Sequence, residues 1–112
     1  MSEKRVLQLH PETFLLLVKQ LRRHQNDADA FEVDLDKMKV KGDLKVIRLN
    51  FPGKEFIAKS TSLDLLKRAL AAGWGTLRMP QNLPTDPEFT SLLKNKGAQV
   101  EFILVDLSSS NL

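Results

Sequence analysis

The sequence predicts an α/β fold of the mixed α+β kind: a single mixed sheet with the element order β-α-β-β-β-α-β-α-β along 112 residues. Three observations lead to it. The second half alternates apolar strand-like runs with capped amphipathic segments, the pattern of strand–helix–strand crossovers that make parallel neighbours. The first half holds three short runs over 31–59 divided by turn residues, which read as an antiparallel meander extending the same sheet. Val100–Leu107 carries apolar residues in both phases, with Val100, Phe102 and Leu104 on one face and Ile103, Val105 and Leu107 on the other. Such a strand is expected in the middle of a sheet, covered on both sides.

Arg5–Leu9 predicts a short first strand. Pro11 suits the first turn of a helix and Glu12 its positive dipole end, while Phe14, Leu15, Val18 and Leu21 recur at helical spacing. Lys19, Arg22, Arg23 and His24 crowd the last turn, so a helix is expected over 11–25. Phe31, Val33 and Leu35 alternate with Glu32, Asp34 and Asp36, a half-buried strand signature, and the apolar phase then slips at Asp36-Lys37, which predicts a bulge. Lys41-Gly42-Asp43 reads as a turn, 44–51 as the next strand, Pro52-Gly53 as another turn and Glu55–Lys59 as the third meander strand.

Thr61 is positioned to cap a helix over 62–72, with Asp64 in a capping-box relation and Gly73 just past its end. A strand over 75–79 ending at Pro80 follows. Thr85-Asp86-Pro87-Glu88 is a capping box for a helix over 86–96 that Gly97 closes, and the long apolar run forms the last strand over 99–107. Ser108–Leu112 is a polar tail expected to be mobile. No linker or repeat divides the chain, so residues 1–112 are expected to form one domain.

The net charge of +3 is modest for a dedicated nucleic-acid binder. Its distribution is uneven: Asp27, Asp29, Glu32, Asp34 and Asp36 form an acidic block with no basic residue among them, and Lys37, Lys39, Lys41, Lys45, Arg48, Lys54 and Lys59 follow directly. On a meander those cations would line strand faces suited to a phosphate backbone. Aromatic residues for base stacking are few (Phe51, Phe56 and Trp74 nearby, and no tyrosine in the chain), and alternating lysines serve equally well to protect a sheet edge.

Parallel α/β sheets gather ligands beyond the carboxyl ends of their strands. Here that position brings together Lys59, Ser60, Thr61 and Ser62 with Asp106, a lysine and hydroxyls at a helix N-terminus that form a chemically sensible anion site. There is no glycine-rich phosphate loop, no cysteine for thiolate chemistry or metal ligation, and no serine in a nucleophile elbow. His10 and His24 lack partners at ligand spacing. The order helix, three strands, helix, strand over 11–79 is also that of a class of metal nucleases, with Asp43 as one carboxylate. The acid-x-Lys triplet is missing, because Glu55 and Lys59 stand four apart.

These absences point to a small non-enzymatic protein, without cofactor or metal, acting through protein–protein or homo-oligomeric contacts. The alternative is a nucleic-acid or phosphate-ligand module using the lysine-rich meander. The apolar run after Met1–Arg5 is broken by Gln8 and His10-Pro11, too short for a signal peptide or a membrane helix of about 20 residues, so a cytoplasmic protein with no membrane partner is expected.

Overall fold

Strand and helix alternate from end to end: β1 (Val6–Leu9), α1 (Phe14–His24), β2 (Ala30–Asp34), a 3₁₀ turn (Leu35–Lys37), α2 (Leu44–Asn50), β3 (Glu55–Lys59), α3 (Leu63–Ala71), β4 (Thr76–Pro80), α4 (Pro87–Lys96) and β5 (Gln99–Ile103). The computed structural model describes residues 4–39 and 42–103. Its five strands form one sheet in the sequential order β1-β2-β3-β4-β5, and every neighbouring pair is parallel.

The antiparallel meander expected over 31–59 is therefore wrong. Its first strand stops at Asp34 and turns into the 3₁₀ segment, where a bulge was expected. Its second strand is α2. Leu44 and Ile47, three apart, are buried together with Phe51, while Val46 and Leu49 are exposed. That is the spacing of a helix face, not of a strand. Asp43 starts the helix, its carboxylate accepting from the Lys45 N–H at 3.0 Å. With a helix between them, β2 and β3 need not reverse direction, and Phe31 pairs with Phe56 in parallel register. The nuclease-like strand order disappears with the meander, and Asp43 is a helix cap.

The other helices form where expected, with shifted caps. α1 starts after Pro11 rather than at it, capped by Thr13, whose hydroxyl accepts from the Leu16 N–H at 3.0 Å. Ser62 rather than Thr61 caps α3, and Asp86 rather than Thr85 caps α4, accepting from the Phe89 N–H at 2.8 Å. Gly97 ends α4 at φ 62°, a left-handed conformation that glycine adopts without strain.

One hydrophobic cluster joins Leu17 and Leu21 of α1, Leu44 and Ile47 of α2, Leu65, Leu66, Ala69 and Leu70 of α3 and Phe89 of α4. From the strands it takes Leu9, Phe31, Val33, Phe56, Ala58, Leu77 and Met79, all of one phase. Trp74 lies in the same core, 1% exposed, its indole N–H donating to the Leu44 carbonyl at 3.1 Å. The four helices thus cover a single face. Sequential strand order requires this, because each right-handed crossover lays its helix on the same side as the last. The opposite phase forms a second face with no helix on it among the described residues.

This topology also corrects the place of the last strand. Each crossover adds its strand outward, so β5 is an edge paired only with β4 among the described residues, and Phe102 is 58% exposed. It is not the middle of the sheet. Leu104–Leu112, including Asp106 and the polar tail, lie outside the described residues.

Candidate functional site

The helix-free face owes its chemistry to register. Asp34 and Lys59, at the carboxyl ends of β2 and β3, align with Arg78 and Glu101 in the middle of β4 and β5. Neighbouring strands lie about 4.8 Å apart, so the four side chains form a row of charges, negative at its ends and positive in its middle. One residue pair earlier, Glu32 aligns with Ile57 and Thr76. His10, just past β1, sets its Nδ1 3.7 Å from Asp34 Oδ2.

Burial makes this row unusual. Glu32, Asp34 and Ser60 are the buried polar or charged side chains among the described residues, and all three lie on β2 or at the end of β3. Glu32 is 3% exposed and forms an ion pair with the Arg78 guanidinium, which reaches it across β3. A carboxylate taken out of water needs such a partner. The pairing in turn holds the Arg78 guanidinium above its already high ordinary value, with burial opposing and Glu101 adding a smaller attraction. Arg78 Nε is buried and has no hydrogen-bond acceptor among the described residues; Glu101 Oε1 lies 3.6 Å from it. None of the ion pairs among the described residues includes Lys59.

The serine–threonine cluster expected to hold an anion is filled by one of the chain's own. Asp36, projecting from the 3₁₀ turn after β2, accepts from Ser60 Oγ at 2.6 Å and from both the N–H and the hydroxyl of Thr61 at 2.9 and 2.8 Å. Ser60 Oγ also accepts from the Ser62 N–H at 2.9 Å, and Ser62 caps α3. These groups form a clamp that ties the β2 and β3 carboxyl ends together. Of the expected anion site Lys59, Ser60, Thr61, Ser62 and Asp106, Lys59 alone remains uncommitted among the described residues, and Asp106 lies outside them.

The basic residues do not assemble on a strand face. Lys37 lies in the 3₁₀ turn and Lys39 just beyond it; Lys41 lies outside the described residues; Lys45 and Arg48 belong to α2, in the helix layer. Lys54, before β3, donates to the Ala28 carbonyl at 2.7 Å. Of these seven, Lys59 is the one among the described residues that stands on the helix-free face. His24, at the end of α1, meets Asp27 at 2.9 Å, a local contact that the sequence spacing had not suggested.

Sequence reasoning missed Arg78, Glu32, Asp34, His10 and Glu101. Glu32 and Asp34 were read as the solvent side of a half-buried strand, and Arg78 stands 46 positions from Glu32. A parallel register of β2, β3 and β4 would have found the row; no local signal does. Among the described residues no group of three or more His, Asp or Glu side chains is placed to hold a metal ion, and no helix is long and apolar enough to cross a membrane. No protein-family profile matches the sequence, and a search of curated proteins returns no significant relative.

Proposed function

We propose that this chain is a non-enzymatic binding protein of the cytoplasm whose working surface is the helix-free face of its sheet, and that the partner covering that face is a second copy of the chain. The observation that carries the reading is the one-sided helix layer. Faces of all-parallel sheets are almost always covered, and here one of two lacks any covering element among the described residues. The accessible side chains of that face carry both signs of charge, Glu55 and Glu101 against Lys59 and Arg78, beside the exposed Val6, while Glu32, Asp34, Ala30 and Ile57 are buried beneath them. Mixed charge around apolar positions suits a protein surface better than a polyanion. It also lets two copies offset against each other and pair opposite signs.

Sedimentation equilibrium tests the reading. The chain should associate in the micromolar range, and Val6→Glu, at a half-exposed position on that face, should weaken association about tenfold or more without unfolding the chain. A wild-type chain that stays monomeric up to about millimolar concentration would overturn it.

A second reading, a phosphate- or carboxylate-binding module, is favoured by Lys59, which joins no ion pair among the described residues, beside the buried Arg78 Nε. Inorganic phosphate should then shift the amide signals of Lys59 and Arg78, an effect lost in Lys59→Gln. A nucleic-acid ligand would instead show an affinity falling steeply with salt.

A further inference from the structure

A second site lies in the helix layer, on the side of the sheet opposite the charged row. A cavity of ≈ 270 Å³ opens between the start of α2 and the second half of α3. Its floor is apolar, built from Leu35, Met38, Leu44, Leu65 and Ala72, each no more than 8% exposed. Its mouth carries Lys45 and Arg68, with Ala71 exposed beside them. Asp43 also lines the opening, but one of its oxygens already accepts from the Lys45 N–H as the cap of α2. Arg68, which lines the opening, meets Asp64 through its Nε at 3.1 Å in an exposed pair one helical turn apart. The Lys45 ammonium takes part in no ion pair among the described residues.

We propose that this cavity binds a small amphipathic carboxylate, a medium-chain fatty acid in chemical class, with its tail on the apolar floor and its head group between Lys45 and Arg68. Three properties select that class. A buried apolar floor gains free energy when a hydrocarbon tail displaces water from it. Two cations at the mouth select an anionic head, and a guanidinium offers a carboxylate paired donors. The volume falls just below the roughly 300–1,000 Å³ of pockets for drug-sized ligands, so the ligand is smaller than those. A ligand seated there would touch both α2 and α3, which share the hydrophobic core.

The test is a titration of the ¹⁵N-labelled chain with octanoate, octanol and acetate. Octanoate should shift the amides of Leu35, Met38, Leu44 and Leu65, and bind about tenfold or more tightly than octanol, which has the same tail without the charge. Acetate should leave these signals unmoved. Ala71→Phe, at an exposed position on the rim, should block the mouth and weaken octanoate about tenfold or more. Should that variant lose its fold, the surface pair Lys45→Gln/Arg68→Gln serves instead and should bring octanoate down to the affinity of octanol. Octanoate shifts falling elsewhere, equal affinity for octanol and octanoate in the wild type, or undiminished octanoate binding in a folded variant would each overturn the proposal. Association of the chain through its sheet face is unaffected by any of these outcomes, because the cavity lies on the other side.

Discussion

Replacing Arg78 by methionine keeps most of the side chain's length and removes its charge, leaving Glu32 alone in a site where it is 3% exposed. Breaking a buried ion pair by removing one partner costs about 3–5 kcal/mol, because the remaining charge keeps its desolvation penalty and loses its compensation. Arg78 is 34% exposed, so water already screens part of the interaction, and the expected loss is about 2–3 kcal/mol. For a chain of this length that is a fall in Tm of roughly 8–12 °C. Urea unfolding followed through Trp74, the sole tryptophan and 1% exposed, would read it directly. The double variant Glu32→Gln/Arg78→Met removes the stranded charge as well and should recover at least about 1 kcal/mol relative to Arg78→Met alone. Additive losses, or an Arg78→Met variant within about 0.5 kcal/mol of wild type, would show that Glu32 is not held by this pair.

The remaining predictions concern the clamp, one helix end and one ion pair. Asp36→Ala leaves Ser60 Oγ, in a residue 1% exposed, without its carboxylate acceptor and should cost about 2–3 kcal/mol, with Asp36→Asn milder; a loss below about 0.5 kcal/mol in denaturant would rule out the clamp. Gly97→Ala places a Cβ at φ 62° and should cost about 1 kcal/mol by the same assay, whereas a neutral result would mean that the turn relaxes to another conformation. The Lys67 ammonium, followed by the Phe89 N–H, holds the Asp86 carboxyl below the ordinary aspartate range. Its contribution is therefore fully present above the ordinary aspartate pKa and lost as pH falls through the lower folded value. Asp86→Asn keeps a capping side chain but not the charge, so its stability should fall less steeply than that of wild type below about pH 4, and the difference should shrink in high salt. Parallel acid limbs would refute the assignment.

The half of the fold that could be read locally is the half whose signals are local. Gly73 and Gly97 end their helices, Asp86-Pro87 and the Ser60–Ser62 run begin them, and strands β3, β4 and β5 fall between those marks. The first half misled because Val46 and Ile47 are β-branched and because Asp43, following Gly42, resembles part of a turn. Leu44, Ile47 and Phe51 nonetheless carry the helical spacing, and the exposure of Val46 and Leu49 separates the two patterns only once the fold is known. The expectation of a site beyond the strand carboxyl ends rested on position alone. It could not say that Asp36 would occupy the hydroxyl cluster, nor that Glu32 would find Arg78, since both contacts depend on a parallel register joining residues 24 to 46 positions apart.

The central claim is that a second copy covers the helix-free face, and the absence of native cysteine makes one measurement especially direct. A nitroxide at Gln8→Cys lies exposed on that face at β1, and one at Lys19→Cys lies exposed on α1. Electron–electron double resonance on each singly labelled chain sees a dipolar signal only between copies. The account predicts a short-distance signal from the Gln8 label that grows with protein concentration, and a weaker signal at longer distance from the Lys19 label. A stronger or shorter signal from Lys19, or none from Gln8 at the highest soluble concentration, would contradict it.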